Sequence, residues 1–203
     1  MTTAAAVDES RRRAILDAAL EAFLVNSVAG TTIEDIKRRS GASVGCIYHH
    51  FGSKERLAAE LYLEILREYH HEFLSALRAS KTAQDGVRGA VHRHFRWVAA
   101  HPERASYLFH CREPEVTATF DASARELNAA FYSEAAGWLA DQVEKGEIRP
   151  LRPAVYHALW MGPGLEYARG WLAGGRRRAT ELSAGDATIA DAAWQTLRSE
   201  TRR

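Results

Sequence analysis

Residues 40–57, SGASVGCIYHHFGSKERL, carry the densest set of reactive side chains in this sequence. Tyr48, His49 and His50 can donate hydrogen bonds, Lys54 brings a positive charge, and Cys46 is a thiol. Catalysis or metal binding would require such groups to converge, and their spacing opposes it. His49-His50 and His70-His71 are adjacent and diverge, while His92 and His94 lie about 200° apart around a helix, so no pair grips one ion through a single face. Neither HExxH nor CxxC occurs, and GxGxxG and the phosphate loop are missing as well. Cys111 follows His110, but neighbours in sequence are not a nucleophile–base dyad. Gly162-Pro163-Gly164 and Gly174-Gly175 are too isolated to cradle a phosphate. An enzyme is therefore not expected, and neither a catalytic residue, a metal nor a cofactor.

Those side chains make better sense on a helix laid against DNA. Gly45 lets the backbone approach closely, and Val44 can offer a methyl contact to thymine. Tyr48 places a hydroxyl on a rigid ring where a phosphate oxygen could accept from it. His49 and His50 can donate to phosphate, or pack beneath. Lys54, in the first turn of the next helix, adds charge where free N–H groups already favour an anion. Thr32 could donate in the same way from the start of the preceding helix.

The elements that must hold these groups are all helical. A first helix is expected over about Asp8–Asn26, with Ile15, Ala19, Ala22 and Phe23 on one face. Thr31 opens a second, with Glu34 at the capping-box spacing and Ile33 and Ile36 inward. Gly41 supplies the positive φ of a tight turn, and Ser43 caps a third helix reaching about His50. Ser53 caps a long fourth helix whose stripe runs Leu57, Leu61, Ile65, Tyr69, Phe73, Leu77. The second helix, glycine turn and third helix form a helix-turn-helix, locked by Ile33, Ile36, Ala42, Ile47 and Phe51, in which the third helix enters the major groove. The stretch from Ser43 to Lys54 then faces DNA.

Further helices follow: one striped with Val87, Val91, Phe95 and Val98 up to His101-Pro102, a short one from Glu103 to Cys111, and a long one carrying Phe120, Leu127, Phe131 and Trp138. After Pro150 and Pro153 another spans about Ala154–Ala173, interrupted at Gly162-Pro163-Gly164. The loop Gly174-Gly175-Arg176-Arg177-Arg178 precedes a last helix with Ile189, Ala193 and Leu197. The expected fold is all-α, divided into an N-terminal three-helix head (residues 1–53) and a larger helical part (54–203).

Composition agrees with a globular chain: 203 residues, 46% apolar and 26% charged. Net charge is only +1, so bulk charge does not mark a nucleic-acid binder. Basic groups cluster instead at Arg11–Arg13, Lys37–Arg39 and Lys54 with Arg56, and form a local basic surface if the intervening acids face away. Two cysteines without metal or disulfide spacing point to a reducing compartment. With no apolar run near the ~18 residues of a membrane span, and no signal-peptide core, a cytoplasmic location away from membranes is expected.

The segment TTIEDIKRRSGASVGCIYHHFGSKERL resembles the DNA-binding signature of the tetracycline-repressor (TetR/AcrR) family of bacterial transcription regulators, the likeness covering about residues 10–60. By position in that motif, Thr32, Val44, Gly45, Cys46, Tyr48, His49 and Lys54 fall where family members contact DNA. The resemblance implies a homodimer on a palindromic operator, usually a repressor released by a small ligand, with a C-terminal ligand-binding and dimerisation domain. Three residues depart from the pattern. Lys37 stands where a small residue is usual and must reach outward. Ser27 replaces a Gly that closes the first helix, so Asn26 or Ser27 must take the strained turn. Val44 replaces a polar residue, which favours methyl or shape readout.

All five tryptophans lie in the larger part. Trp97, Tyr107, Phe131, Trp138 and Trp160 are the candidates for lining a pocket for a small apolar ligand, against the alternative of ordinary core packing. Val155, Leu159, Gly162 and Leu165, facing Ile189, Ala193 and Leu197, are the candidates for the dimer interface, against packing within their own subunit. The alternatives to a regulator are a helical interaction module that does not bind DNA and a small helical enzyme.

Overall fold

The computed structural model describes residues 2–110, 114–174 and 179–200. Cys111 and Arg176–Arg178 lie outside the described residues, as does the side chain of Phe120. Among the described residues ten helices follow in order: α1 (Thr2–Gly30), α2 (Ile33–Ser40), α3 (Val44–Phe51), α4 (Lys54–Ala79), α5 (Ala83–Ala100), α6 (Pro102–His110), α7 (Pro114–Glu144), α8 (Pro153–Trp160), α9 (Gly162–Ala173) and α10 (Ala179–Leu197). Among the described residues the only β-type pairing is one isolated bridge, Ile148 with Arg198. The all-α expectation therefore holds. No described helix is long and apolar enough to cross a membrane.

Two compact units emerge, Met1–Leu66 with Glu103–Arg125, and Arg67–Pro102 with Glu126–Arg203. In the first, Ile15, Leu16, Ala19, Ala22 and Phe23 of α1 are buried with Ile36, Ile47, Phe51, Leu57, Leu61 and Ile65. These are the inward positions of four amphipathic helices, and burying them is the main force holding the unit together. Part of α6 joins it: Tyr107 donates to the Ala58 carbonyl (3.0 Å) and its ring stacks near Phe23. In the second unit Val87, Val91, Phe95 and Val98 bury the α5 stripe, and α10 packs along α5, α8 and α9. The predicted break at Gly162-Pro163-Gly164 separates α8 from α9, with Met161 at the junction and Pro163 in the first turn, where its missing N–H costs nothing.

Local signals moved by one residue at the start of α2. The N-cap is Thr32, not Thr31, and its capping-box partner is Asp35, not Glu34. Thr31 is instead buried, with its hydroxyl donating to the Ser27 carbonyl (2.7 Å) and lying 3.2 Å from that of Ala22. Burial decides the register: the residue whose hydroxyl is needed inside cannot also cap from outside. α1 is kinked at Ser27, which adopts φ 61, ψ 172. This is the position where the missing glycine shifts the strain onto a residue with a Cβ.

Candidate nucleic-acid interface

The turn between α2 and α3 is built as the sequence requires. Gly41 sits at φ 69, ψ 0 and its N–H bonds to the Lys37 carbonyl, closing α2 in the left-handed conformation that a Cβ disfavours. Ser43 then caps α3, its hydroxyl accepting from the Cys46 N–H (3.1 Å). Ile36, Ile47 and Phe51 are buried and fix the two helices against each other.

α3 consequently has two unlike sides. Ile47 and Phe51 point inward, with Val44 half-buried beside them, whereas Gly45, Tyr48, His49 and Gly52 are exposed. The exposed set follows the i, i+3, i+4, i+7 spacing of one helix face. Of the residues predicted to meet DNA, Ser43, Gly45, Tyr48 and His49 are thus exposed on α3 or its cap, and Val44 and Cys46 lie at the edges of that surface. His50 turns to the other side, its Nε2 lying 3.5 Å from the Asp8 carboxylate.

Two predicted contacts have internal work. The exposed Thr32 is committed to its cap: its hydroxyl donates to Asp35 Oδ2 (2.6 Å) and accepts from the Asp35 N–H (3.1 Å). Those bonds from Thr32, helped by Arg38, hold the Asp35 carboxyl below the usual carboxylate range. Lys54 places its ammonium on the carbonyls of Ala29 (3.2 Å) and Thr31 (2.9 Å), tying the start of α4 to the turn after the α1 kink. An ammonium has three donors, so one remains for another acceptor.

The basic clusters are largely neutralised. Arg12 pairs with Glu60 (2.8 Å), Arg13 with Glu64 (2.6 Å) and Asp17 (3.3 Å), Lys37 with Glu34 (2.7 Å), and Arg38 with Asp35 (2.6 Å). Lys37 does reach outward, as its setting demanded. Glu64 also accepts from Arg104 of α6 (2.9 Å). Among the described residues of these clusters, Arg11, Arg39, Lys54 and Arg56 have no ion pair, and the Lys54 ammonium is bound to carbonyls instead. The basic surface expected from whole clusters is in fact a few single cations, because Arg12, Arg13, Lys37 and Arg38 have a carboxylate within about one helical turn or on the facing helix.

The ligand candidates do not assemble as one set. Tyr107 belongs to the first unit, while Trp97, Phe131, Trp138 and Trp160 belong to the second. There Phe131 stacks on His70 (4.1 Å), and Trp160 lies 5.2 Å from Phe73 and 5.8 Å from Trp138, its indole N–H donating to the Val87 carbonyl (2.9 Å). Trp97 donates to Glu68 (2.8 Å) and its ring lies 5.1 Å from that of Tyr69. Sequence patterning missed the polar pair beside them. Tyr69 Oη is 2.9 Å from His94 Nδ1, and His94 Nε2 is 3.2 Å from the Gly164 carbonyl. Burial pushes both His94 and His70 down to about 4.

The dimer candidates also divide. Val155 is exposed, and Leu159, Gly162, Leu165 and Ile189 are half-buried. Ala193 and Leu197 are buried at 3% and 0% exposure, on the helix that packs along the subunit's own α5, α8 and α9, so they cannot face a partner. Among the described residues no group of three or more His, Cys, Asp or Glu side chains could hold a metal ion.

Residues 15–61 match the family model described as "Bacterial regulatory proteins, tetR family". The HTH-type transcriptional regulator BetI of Agrobacterium fabrum is 31% identical over 93 residues, 46% of this chain and 45% of that protein, so the chain spans about half the length of the curated relatives it matches. Among solved structures, the fatty acid degradation regulator FadR of Bacillus halodurans aligns with a TM-score of 0.77 at 19% identity, covering 92% of this chain and 99% of that one. FadR of Bacillus subtilis, solved in complex with stearoyl-CoA, gives 0.75 at 19% identity over 89% and 96%.

Proposed function

We propose that this chain, whose residues 15–61 match the tetR family of bacterial regulatory proteins, is a DNA-binding transcription regulator acting in the cytoplasm, and in detail a repressor that holds a palindromic operator as a homodimer and releases it on binding a small apolar ligand. The observation that carries this reading is the free face of α3. A helix locked from behind by Ile36, Ile47 and Phe51 leaves Gly45, Tyr48 and His49 exposed, immediately after a capped N-terminus. Recognition helices present this end to base edges. Ser43, Val44, Gly45 and Cys46 sit at the bases, Val44 offering methyl contact. Tyr48 and His49 reach phosphates, Lys54 contributes its remaining donor, and Thr32 its exposed cap.

Residues 1–53 are the DNA-binding head and residues 54–203 the regulatory and dimerisation part. Two heads about 34–36 Å apart match successive major grooves on one face of the duplex. Val155, Leu159, Gly162, Leu165 and Ile189 retain exposed surface for a partner subunit. The aromatic cluster that joins Phe131, Trp138 and Trp160 through Phe73, with Trp97 packed apart from it on Tyr69, supports an apolar ligand, as does the acyl chain of the stearoyl-CoA held by the Bacillus subtilis FadR. A ligand that prefers the wrong head spacing by ~3 kcal/mol lowers operator affinity more than a hundredfold.

Selection of genomic fragments by the purified protein, followed by footprinting, tests the reading. Two symmetric protected half-sites are expected, and Val44→Ala should change preference at one base position by ~1 kcal/mol. No protected sequence, or a single half-site bound by a lone subunit, would overturn it.

A further inference from the structure

We infer that Arg56, together with Tyr48 and His49, forms a seat for a phosphate group of the DNA backbone at the C-terminal end of the α3 reading face. The inference rests on the DNA-binding reading above and adds a residue and a site to it. An open cleft of about 420 Å³ lies in the first unit where α3 passes into α4, lined among others by Tyr48, His49, Gly52, Arg56 and Glu60. Tyr48, His49 and Gly52 are the last three members of the exposed face of α3, so one wall of the cleft continues that face, while His50 and Phe51 close it from the other side of the helix.

Gly52 turns the chain from α3 into α4 at φ 76, which a side chain disfavours, and the Arg56 guanidinium lies beside it, Nη1 falling 3.5 Å from where a Cβ would be, an ordinary contact distance. Arg56 is exposed and has no ion pair among the described residues, whereas Arg12, Arg13, Lys37 and Arg38 are each held by carboxylates. The acid in the cleft, Glu60, is itself taken by Arg12 at 2.8 Å. A free planar fork of donors beside a phenol and an imidazole is suited to phosphate oxygens.

Geometry selects the DNA backbone as the source. From Gly45 to Gly52 the helix rises about 10 Å. With its N-terminal end at the base edges of a major groove ~12 Å wide, its C-terminal end reaches the groove wall, where the phosphates lie.

The test is the salt dependence of binding to a random-sequence duplex of about 30 base pairs, from ~50 to ~200 mM NaCl, for the unaltered protein, Arg56→Ala and Arg56→Lys. Each lost phosphate contact lowers the log–log slope by ~0.9, so two heads lose ~1.8, and the salt-induced drop in affinity across this range shrinks about tenfold. Arg56→Lys should keep most of the slope, and thermal midpoints should match, since Arg56 is exposed without a partner. An unchanged slope in Arg56→Ala, while the unaltered protein binds the duplex, overturns this inference alone. An Arg56-dependent, saturable response to inorganic phosphate without DNA, combined with an unchanged slope, assigns the cleft to a free anion and also overturns it. Absence of DNA binding by the unaltered protein overturns both this and the regulator reading.

Discussion

Ser27→Gly should stabilise the head, and the expected size can be worked from the backbone. Ser27 occupies φ 61, ψ 172, a region populated almost entirely by glycine and costing other residues ~1–3 kcal/mol. Glycine removes that strain but brings ~0.5–1 kcal/mol of extra chain entropy to lose on folding. It also removes the Ser27 hydroxyl, which accepts only a long bond from the Gly30 N–H (3.3 Å) at an exposed site, worth ~0.5 kcal/mol or less. The bond from Thr31 goes to the Ser27 carbonyl and survives. The balance is ~1 kcal/mol in favour of glycine, or a rise of ~2–4 °C in Tm for a chain of this size. Ser27→Ala is the control: it loses the same hydroxyl and keeps the Cβ. Thermal melting of the three proteins should place glycine highest. A glycine variant no more stable than the alanine variant would refute the claim that this kink stores strain.

Lys54→Ala should act twice. It removes the donor shared by the Ala29 and Thr31 carbonyls, lowering stability by ~1–2 kcal/mol in urea unfolding, and it weakens binding to all DNA sequences alike, with a shallower salt slope. Loss of neither property refutes both assignments. For pH, the folded His94 is held at about 4 by burial, against ~6.5 when unfolded, so the unfolded chain binds the extra proton first. The contribution is complete above ~6.5 and is lost as pH falls towards 4, the loss amounting to ~2 kcal/mol at pH ~5; His70, held at the same value, adds a comparable loss. Equal urea midpoints at pH ~7.5 and ~5 would contradict this. Gly86→Ala should destabilise the second unit by ~1–3 kcal/mol, because a Cβ there overlaps the Trp138 ring. Gly170→Ala, with nothing within 4 Å of the added carbon, should be neutral or slightly stabilising in the same denaturation assay.

The sequence by itself determined the helices of the head, their turn and which face of α3 stays exposed. Helix period, the Ser43 and Ser53 caps and the positive φ at Gly41 are set by neighbours a few residues away, and so is the strain at Ser27. Tertiary structure decided what depended on distant partners. Only packing could show that Thr31 must be buried, which moved the cap to Thr32. The carboxylates of α4 settled which cations of α1 are engaged, Glu60 taking Arg12 and Glu64 taking Arg13. Likewise the stripe on α10 is the same whether it meets another subunit or the helices of its own, and Ala193 and Leu197 are buried within their own subunit. A periodic pattern states that a face is buried; it carries no information about which surface buries it.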